Sequence, residues 1–564
     1  MAKAYVLGLD FGTNSARALI VDPRTGSEVA TAVAAYPSGE AGIILDRKDP
    51  NVARQNPADW LTAAAKCTRA ALRAAAKVKG FSPRQIIGIG IDATASTPLP
   101  VDAQGVPLAQ HKKFARDLNA LAWLWKDHTA FAEAQEITEA ARREHPEYLA
   151  KCGGTYSSEW YWSKALHCLR VAPRVMDATA NWVEQSDYIP AVLTGNPNPA
   201  TWKRNVCAAG HKAMYHADWS LPAADFLAGI DPRLSELRRH KAYDHAVTSD
   251  QSAGGLCPEW ADKLGLAADT PVAVGAIDAH FGAVGAGVKP GSLAKILGTS
   301  SCDMMIHPNT QPLADIPGLC GIVDGSIVPG CFGIEAGQSA VGDIFNWFVN
   351  HFDKGDKAHA TLAAEAAKLK PGESGLLALD WNNGNRCLLV DPRLTGLLIG
   401  QTLHTTRAEV YRALIEGSAF GARIIMQRFE EYGVPVREII NCGGIAEKSP
   451  LVMQIYADVT GRPMKISRSA QTCALGAALF GAVVAGSAGG GYDSVQEAQA
   501  RMCGLKAKVY KPNPKHREAY DRLFGLYRAL HDAFGTRDHQ ASLHHVMKDL
   551  LAIRDAARGI GQKP

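Results

Sequence analysis

Short apolar runs broken by small polar turns alternate with longer stretches of helical period, and this alternation predicts a mixed α/β chain. Val6-Leu7-Gly8-Leu9 reads as a strand, Gly12-Thr13-Asn14 with Ser15 as a turn, and Ala18-Leu19-Ile20-Val21 as the returning strand. An Ala-rich segment over residues 60–78 predicts a helix begun near Pro57-Ala58-Asp59. A strand over residues 86–91 then empties into Asp92-Ala93-Thr94-Ala95-Ser96. Residues 272–277 read as one further strand ending at Asp278, and Gly282, Gly285 and Gly287 follow in a small-residue helix or turn.

A boundary is expected near Lys289-Pro290-Gly291. Past it, Lys295-Ile296-Leu297, Gly298-Thr299-Ser300-Ser301 and Met304-Met305-Ile306 repeat the strand, polar turn, strand grammar of the N-terminus. Residues 408–432 predict a long amphipathic helix, 438–441 a strand, Cys442-Gly443-Gly444 a tight turn, and 450–460 a helix stopped by Gly461. Residues 517–534 and a second short helical pattern read as a peripheral extension, with residues 559–564 disordered. Three units are therefore expected, over 1–288, 289–490 and 491–564.

Composition narrows the partners. With 47% hydrophobic and 21% charged residues the chain is an ordinary globular one, and a net charge of +4 on 564 residues is too weak to imply nucleic acid. Twelve scattered cysteines without a Cys-x-x-Cys fit free thiols in a reducing compartment, and the N-terminus enters a strand without a basic-then-apolar leader, so the cytoplasm is expected. The uncharged stretch 473–486 is too short for a membrane span; its Ala and Gly content suits a buried helix packed closely on a sheet. Small molecules are the expected partners.

The two polar hairpins are candidate phosphate grips, because small residues leave backbone N–H groups and hydroxyls free to meet phosphate oxygens. Asp10 stands where a nucleotide's Mg²⁺ would sit. This is no Walker loop, which would end in Gly-Lys-Ser/Thr and open a helix. Two ordinary hairpins with polar tips remain the plain alternative. Asp278, a carboxylate at a strand end beside the expected hinge, is the candidate base for phosphoryl transfer, or else a helix N-cap. The Gly282 to Gly287 glycines run in the reverse order of a dinucleotide fingerprint, which excludes NAD. Gly443 and Gly444 would let a flat base slide against bare backbone, or would simply turn the chain. Trp123-Leu124-Trp125-Lys126-Asp127-His128, Gly210-His211-Lys212 and Glu335-Ala336-Gly337-Gln338 combine aromatic faces with hydrogen-bonding groups suited to a polyol; each could also be a solvated loop.

These segments, with Tyr156-Ser157-Ser158-Glu159-Trp160, Ile277-Asp278-Ala279-His280 and Gly298 to Asp303, resemble the FGGY carbohydrate kinases over residues 5–485. The resemblance implies two actin-like, ribonuclease H-type α/β domains with ATP and sugar in the cleft between them. The Trp-Lys-Asp-His and Gly-His-Lys segments point to the branch acting on L-ribulose, phosphorylated at its terminal hydroxyl to L-ribulose 5-phosphate in arabinose catabolism. Asp278 would be the base, and Asp10 would hold Mg²⁺ through water. Thr13, Asn14, Ser15 and Arg17 would approach the ATP phosphates, Gly298 and Thr299 would form the second phosphate loop, and Gly342 and Asn346 would lie near the ribose. Gly443 and Gly444 would flank adenine beside Lys448, where Glu447-Lys448-Ser449 departs from the Asn common in the family. Sugar contacts would fall on Ala95, Lys212, Asp278 and Glu335, with Trp125 and Asp127 nearby. A homodimer is implied. The rivals are a kinase for D-ribulose, xylulose or ribitol, and a non-enzymatic sugar- or ATP-binding regulator of the same fold.

Overall fold

A computed structural model describes residues 3–352, 358–537 and 539–560. Two mixed sheets organise it. The first contains β1 (Tyr5–Phe11), β2 (Ser15–Asp22), β3 (Ser27–Ala35), β4 (Ile86–Ala93), β5 (Ser252–Gly255), β6 (Pro271–Ala273) and β7 (Ala276–Ile277). Its order is β5-β6-β4-β1-β2-β3, with β7 beside β4. The second contains β8 (Ser292–Leu297), β9 (Ser301–Pro308), β10 (Gly321–Asp324), β11 (Cys331–Ala336), β12 (Glu438–Cys442) and β13 (Met464–Ile466), in the order β10-β11-β9-β8-β12-β13. Each sheet has the same heart: an antiparallel hairpin (β1-β2, β8-β9) whose first strand also pairs in parallel with a later one (β4, β12). The repeated hairpin in the sequence is thus a repeated ribonuclease H-type sheet.

The helices that matter for the site are α1 (Pro57–Ala75), α2 (Val206–Ala213), α3 (Asp278–Ala286), α4 (Gly342–Phe352), α5 (Arg407–Glu431), α6 (Gly444–Lys448), α7 (Pro450–Thr460), α8 (Thr472–Ala485), α9 (Arg517–Gly535) and α10 (Val546–Arg558). Asn56 caps α1 by accepting from the Ala58 N–H, and Pro57 fills its first position. Tyr5, Leu7, Leu9 and Phe11 of β1 pack in one core with Trp60, Ala64 and Cys67 of α1. The alternate residues Gly8 and Asp10 face the other way, as the two-residue period of a strand requires.

That other face meets α8 at backbone distance. A Cβ on Gly8 would stand 1.9 Å from the Ala474 carbonyl oxygen, one on Gly90 1.7 Å from that of Ala477, and one on Gly88 1.9 Å from that of Gly481. The same device joins α8 to α3: a Cβ on Gly285 would lie 2.0 Å from the Thr472 oxygen, and one on Gly476 1.9 Å from the Phe281 oxygen. The uncharged stretch is therefore a buried helix seated on a sheet, and the decoy glycines of α3 are packing residues. Among the described residues no helix is long and apolar enough to cross a membrane.

Several elements differ from the sequence expectation. The helix over 60–78 runs Pro57–Ala75. The strand expected over 272–277 is two short ones, interrupted where Gly275 passes so close to Ser186 that a Cβ would lie 2.2 Å from its oxygen. The C-terminal helices are not peripheral: Tyr520, Leu523, Phe524, Tyr527 and Leu530 of α9 form one apolar stripe inside the second core. The Tyr520 hydroxyl accepts from Arg412 at 3.0 Å and donates to Glu416 at 3.0 Å, while Tyr527 donates to Asp380 at 2.8 Å. The disorder expected at the C-terminus falls mainly on residues 561–564, outside the described residues.

Gly90→Ala is expected to destabilise the protein by about 1–3 kcal/mol, because backbone rather than a mobile side chain must yield. Gly525→Ala, on the exposed side of α9 with nothing within 4 Å of its Cβ, should be neutral or slightly stabilising. Urea midpoints of the two variants test this; equal stability of Gly90→Ala and wild type would remove the close contact as a determinant.

Candidate active site

The first hairpin turns at Gly12, whose N–H donates to the Ser15 carbonyl at 3.0 Å. Thr13 is held from both sides: its carbonyl accepts from Gln55 at 2.7 Å and its hydroxyl from the Trp125 indole N–H at 3.0 Å. Asn14, at the exposed tip, donates to the Ala41 carbonyl at 2.6 Å. Arg17 reaches back across the hairpin to Asp10 at 3.0 Å. The turn's backbone is thereby fixed with Thr13 and Ser15 partly open to solvent.

Asp10 pairs in parallel register with Asp92 of β4. Burial pushes both carboxyls up; for Asp10 the Arg17 charge opposes this, whereas for Asp92 the neighbouring Asp10 and Asp278 add to it. Asp92 is fully enclosed, and neither of its oxygens has a hydrogen-bond partner among the described residues. An all-oxygen donor set with unsatisfied buried oxygens fits a hard dication such as Mg²⁺. The sequence reading passed over Asp92. Its signal was the match between two strand ends, Gly8-Leu9-Asp10 and Gly90-Ile91-Asp92.

Asp278 opens α3, one residue after β7, and its oxygen accepts from the Ala279 N–H at 2.6 Å. Burial, then the Asp10 charge, then Glu335 raise its carboxyl to about 7. A carboxylate tuned near neutrality is what a general base needs, and the first-turn position does not exclude it. Ala95, at the end of β4, is partly buried in the same apolar cluster as Ile277 and Ala279.

Lys212 on α2 crosses to Glu335 on β11, with Nζ 2.9 and 3.2 Å from its two oxygens. Burial alone would raise Glu335, but Lys212, then His280 and His211, bring it well below the usual carboxylate range. The Lys212 ammonium also lies 5.4 Å from the Trp160 ring centroid. Asp127 sits elsewhere: it is fully buried, bonded to Arg54, to the Ala53 N–H at 2.7 Å and to the Thr129 hydroxyl at 2.6 Å. Its oxygens are occupied in anchoring the segment that carries Trp125.

The second hairpin presents Gly298 and Thr299 at an exposed tip. Beneath it the fully buried pair Lys295–Asp303, 2.7 Å apart, and the Ser301–Gln338 backbone exchange hold the loop. Gly342 begins α4 against this loop, its N–H donating to the Gly298 carbonyl at 3.1 Å, and a Cβ there would come within 2.5 Å of that oxygen and 3.1 Å of Ile445. Gly443, at φ 91°, approaches the Leu297 oxygen so that a Cβ would lie at 2.4 Å; Gly444 faces open space. Gly342 and Gly443 thus let their segments close on the β8-β9 hairpin, while Gly298 and Gly444 stay exposed. Asn346 lies further along α4, exposed and bonded to His359 at 3.0 Å, and Lys448 is exposed at the end of α6.

The two halves meet at the start of α8. Burial, with Asp10, Asp92 and Asp278 of the first half nearby, pushes the Cys473 thiol up, and Cys442 of the second sheet lies in the same environment. Residues 5–285 match the N-terminal domain, and residues 293–485 the C-terminal domain, of the FGGY family of carbohydrate kinases. The chain belongs to this family. The chain is 42% identical to a ribulokinase of Geobacillus thermodenitrificans over 573 residues, covering 99% of this chain and 98% of the relative. It is 41% identical to a ribulokinase of Bacillus licheniformis, covering 96% and 98%. Among solved structures, a xylulose kinase from Rhodospirillum rubrum superposes with a TM-score of 0.75 at 24% identity, covering 94% of this chain and 98% of that one, a likeness of fold. FGGY kinases of differing sugar thus share this scaffold.

Lys212→Met strands the Glu335 carboxylate in a buried site, at an expected cost of about 3–5 kcal/mol. The double variant Lys212→Met/Glu335→Gln should recover most of it. Thermal midpoints of the three proteins decide; a single variant as stable as wild type would mean that the pair carries no net stabilisation.

Proposed function

We propose that the chain transfers the terminal phosphoryl group of ATP to the terminal hydroxyl of L-ribulose, giving L-ribulose 5-phosphate for arabinose catabolism. The observation that carries this reading is Asp278, a carboxylate raised to about 7, in the field of both the Asp10 group and the Lys212–Glu335 pair. It takes the hydroxyl proton as the oxygen attacks phosphorus. Lys212 and Glu335, with Ala95 and the Trp125 face, position the sugar, and Asp127 keeps the Trp125 segment in place. The bare turns of Thr13 to Ser15 and Gly298-Thr299, with Arg17, face the phosphates. Gly444 offers open backbone to the nucleoside, Gly342 and Gly443 let the segments that frame it close together, and Asn346 and Lys448 lie at its rim.

Mg²⁺ is part of the proposal. Asp10 and Asp92 would hold it through water, where it would neutralise phosphate charge. The proposal also takes 1–288 as the sugar and phosphate-loop unit, 289–490 as the nucleotide unit and 491–564 as a helical extension, in a cytoplasmic homodimer. That both relatives are ribulokinases supports the choice of ribulose over xylulose or ribitol.

Asp278→Asn is expected to lower kcat by roughly 10²–10⁴ while leaving KM for both substrates within a few-fold. The base acts ionised, so wild-type kcat/KM should rise as pH rises through about 7 and fall below it. The variant should lose that limb. A coupled ADP-release assay across pH measures both, and wild-type turnover in Asp278→Asn would overturn the assignment.

A further inference from the structure

Beside the Glu335 carboxylate lie imidazole donors that phosphoryl transfer leaves unused. His211 Nδ1 stands 3.4 Å from Glu335 Oε2, and His280 Nε2 stands 3.6 Å from the same oxygen. The two rings touch, with centroids 4.4 Å apart. Both side chains are wholly enclosed, and among the described residues neither His211 Nδ1 nor either nitrogen of His280 has a hydrogen-bond partner. Buried polar atoms without partners are costly and point to a missing ligand.

The orientation of His211 is fixed from behind. Its Nε2 meets the Ser326 hydroxyl at 3.0 Å, and that hydroxyl donates to the Val323 carbonyl at 3.1 Å. In the neutral ring Ser326 then accepts from Nε2–H, which leaves Nδ1 as a bare lone pair 3.4 Å from a carboxylate oxygen. A ring nitrogen and a carboxylate oxygen in that relation repel unless a cation lies between them. Tetrahedral Zn²⁺, bonded at about 2.0–2.1 Å, sets its ligand atoms roughly 3.4 Å apart. The two measured edges match that spacing, and all three ligand atoms lie within 4.8 Å of one another.

We propose that His211, His280 and Glu335 form a three-ligand site for Zn²⁺, or a late first-row dication of the same preference, with the fourth position open. Two imidazoles select such ions over Mg²⁺, which keeps to oxygen, so this site is distinct from the Asp10–Asp92 group. Lys212 shares Oε2, and an entering ion would leave it only Oε1, 3.2 Å away. The nearby ammonium weakens the site and makes the ion exchangeable. A bound ion withdraws Glu335 from the sugar, so Zn²⁺ acts as an inhibitor competitive with ribulose; this last step rests on the sugar role given to Glu335 above.

Cobalt(II) titration of the full, reduced chain tests the site directly. The expected spectrum has visible d–d bands of nitrogen and oxygen ligation, lacks thiolate-to-cobalt charge transfer, and is reversed by Zn²⁺. His280→Gln should lose the bands. Ser326→Ala keeps all three ligands but releases the His211 ring, and should bind cobalt about 10-fold more weakly; it carries the test if His280→Gln folds poorly. With free Zn²⁺ buffered, KM for ribulose should rise while KM for ATP stays constant. No bands in wild type, bands with thiolate charge transfer, or wild-type binding by both variants would overturn the site. Cobalt bound without any effect on the ribulose KM would leave the metal site standing and overturn the sugar role of Glu335 instead.

Discussion

The approach of α8 to the first sheet at backbone distance is the constraint on which the site depends. Gly8, Gly88 and Gly90 on the sheet, and Gly481 on the helix, leave no side chain between them. One two-residue step further along the same strand faces stand Asp10 and Asp92. Bare backbone thus ends where charge begins, at the N-terminal end of α8. Because Gly285 and Gly476 bring α3 equally close, Asp278 at the head of α3 is brought into the field of that same carboxylate group. Larger residues at any of these glycines would push the helices away and spread the carboxylates apart.

Crowding four carboxyls near one cleft gives each a different state. Asp10 is paired with Arg17, Asp92 is buried without a donor among the described residues, Asp278 is raised to about 7, and Glu335 is held ionised by Lys212. Environment, not residue type, sets these four carboxyls apart, and the proposed roles of Asp10 as metal holder, Asp278 as base and Glu335 as sugar anchor draw on that difference. The second sheet contributes Glu335 from β11 and, at its hairpin tip, the exposed Gly298 and Thr299.

What the sequence revealed was local. The first hairpin was legible because its strands alternate and its turn is polar; the second because it repeats the first. Gly461 and the capping pair Thr406–Glu409 mark helix ends within a few residues of the pattern. What it hid depends on distant partners. Asp127 reads as a free polar group beside Trp125, yet it is consumed by Arg54, 73 residues away. Asp92 becomes part of the site only through parallel register with β1, which no local pattern encodes. Residues 517–534 read as a peripheral helix because the core that receives the α9 stripe is built from residues a hundred positions earlier, Arg412 and Glu416 among them.

The regiochemistry of the product tests the central claim most directly. L-Ribulose isotopically labelled at the terminal carbon away from the ketone would be incubated with the full chain, ATP and Mg²⁺, and the product observed by phosphorus NMR. We expect one new phosphomonoester signal, split by the labelled carbon and formed mole for mole with ADP. ATP consumed without that signal, or a signal showing no coupling to the label, would contradict phosphoryl transfer to the terminal hydroxyl.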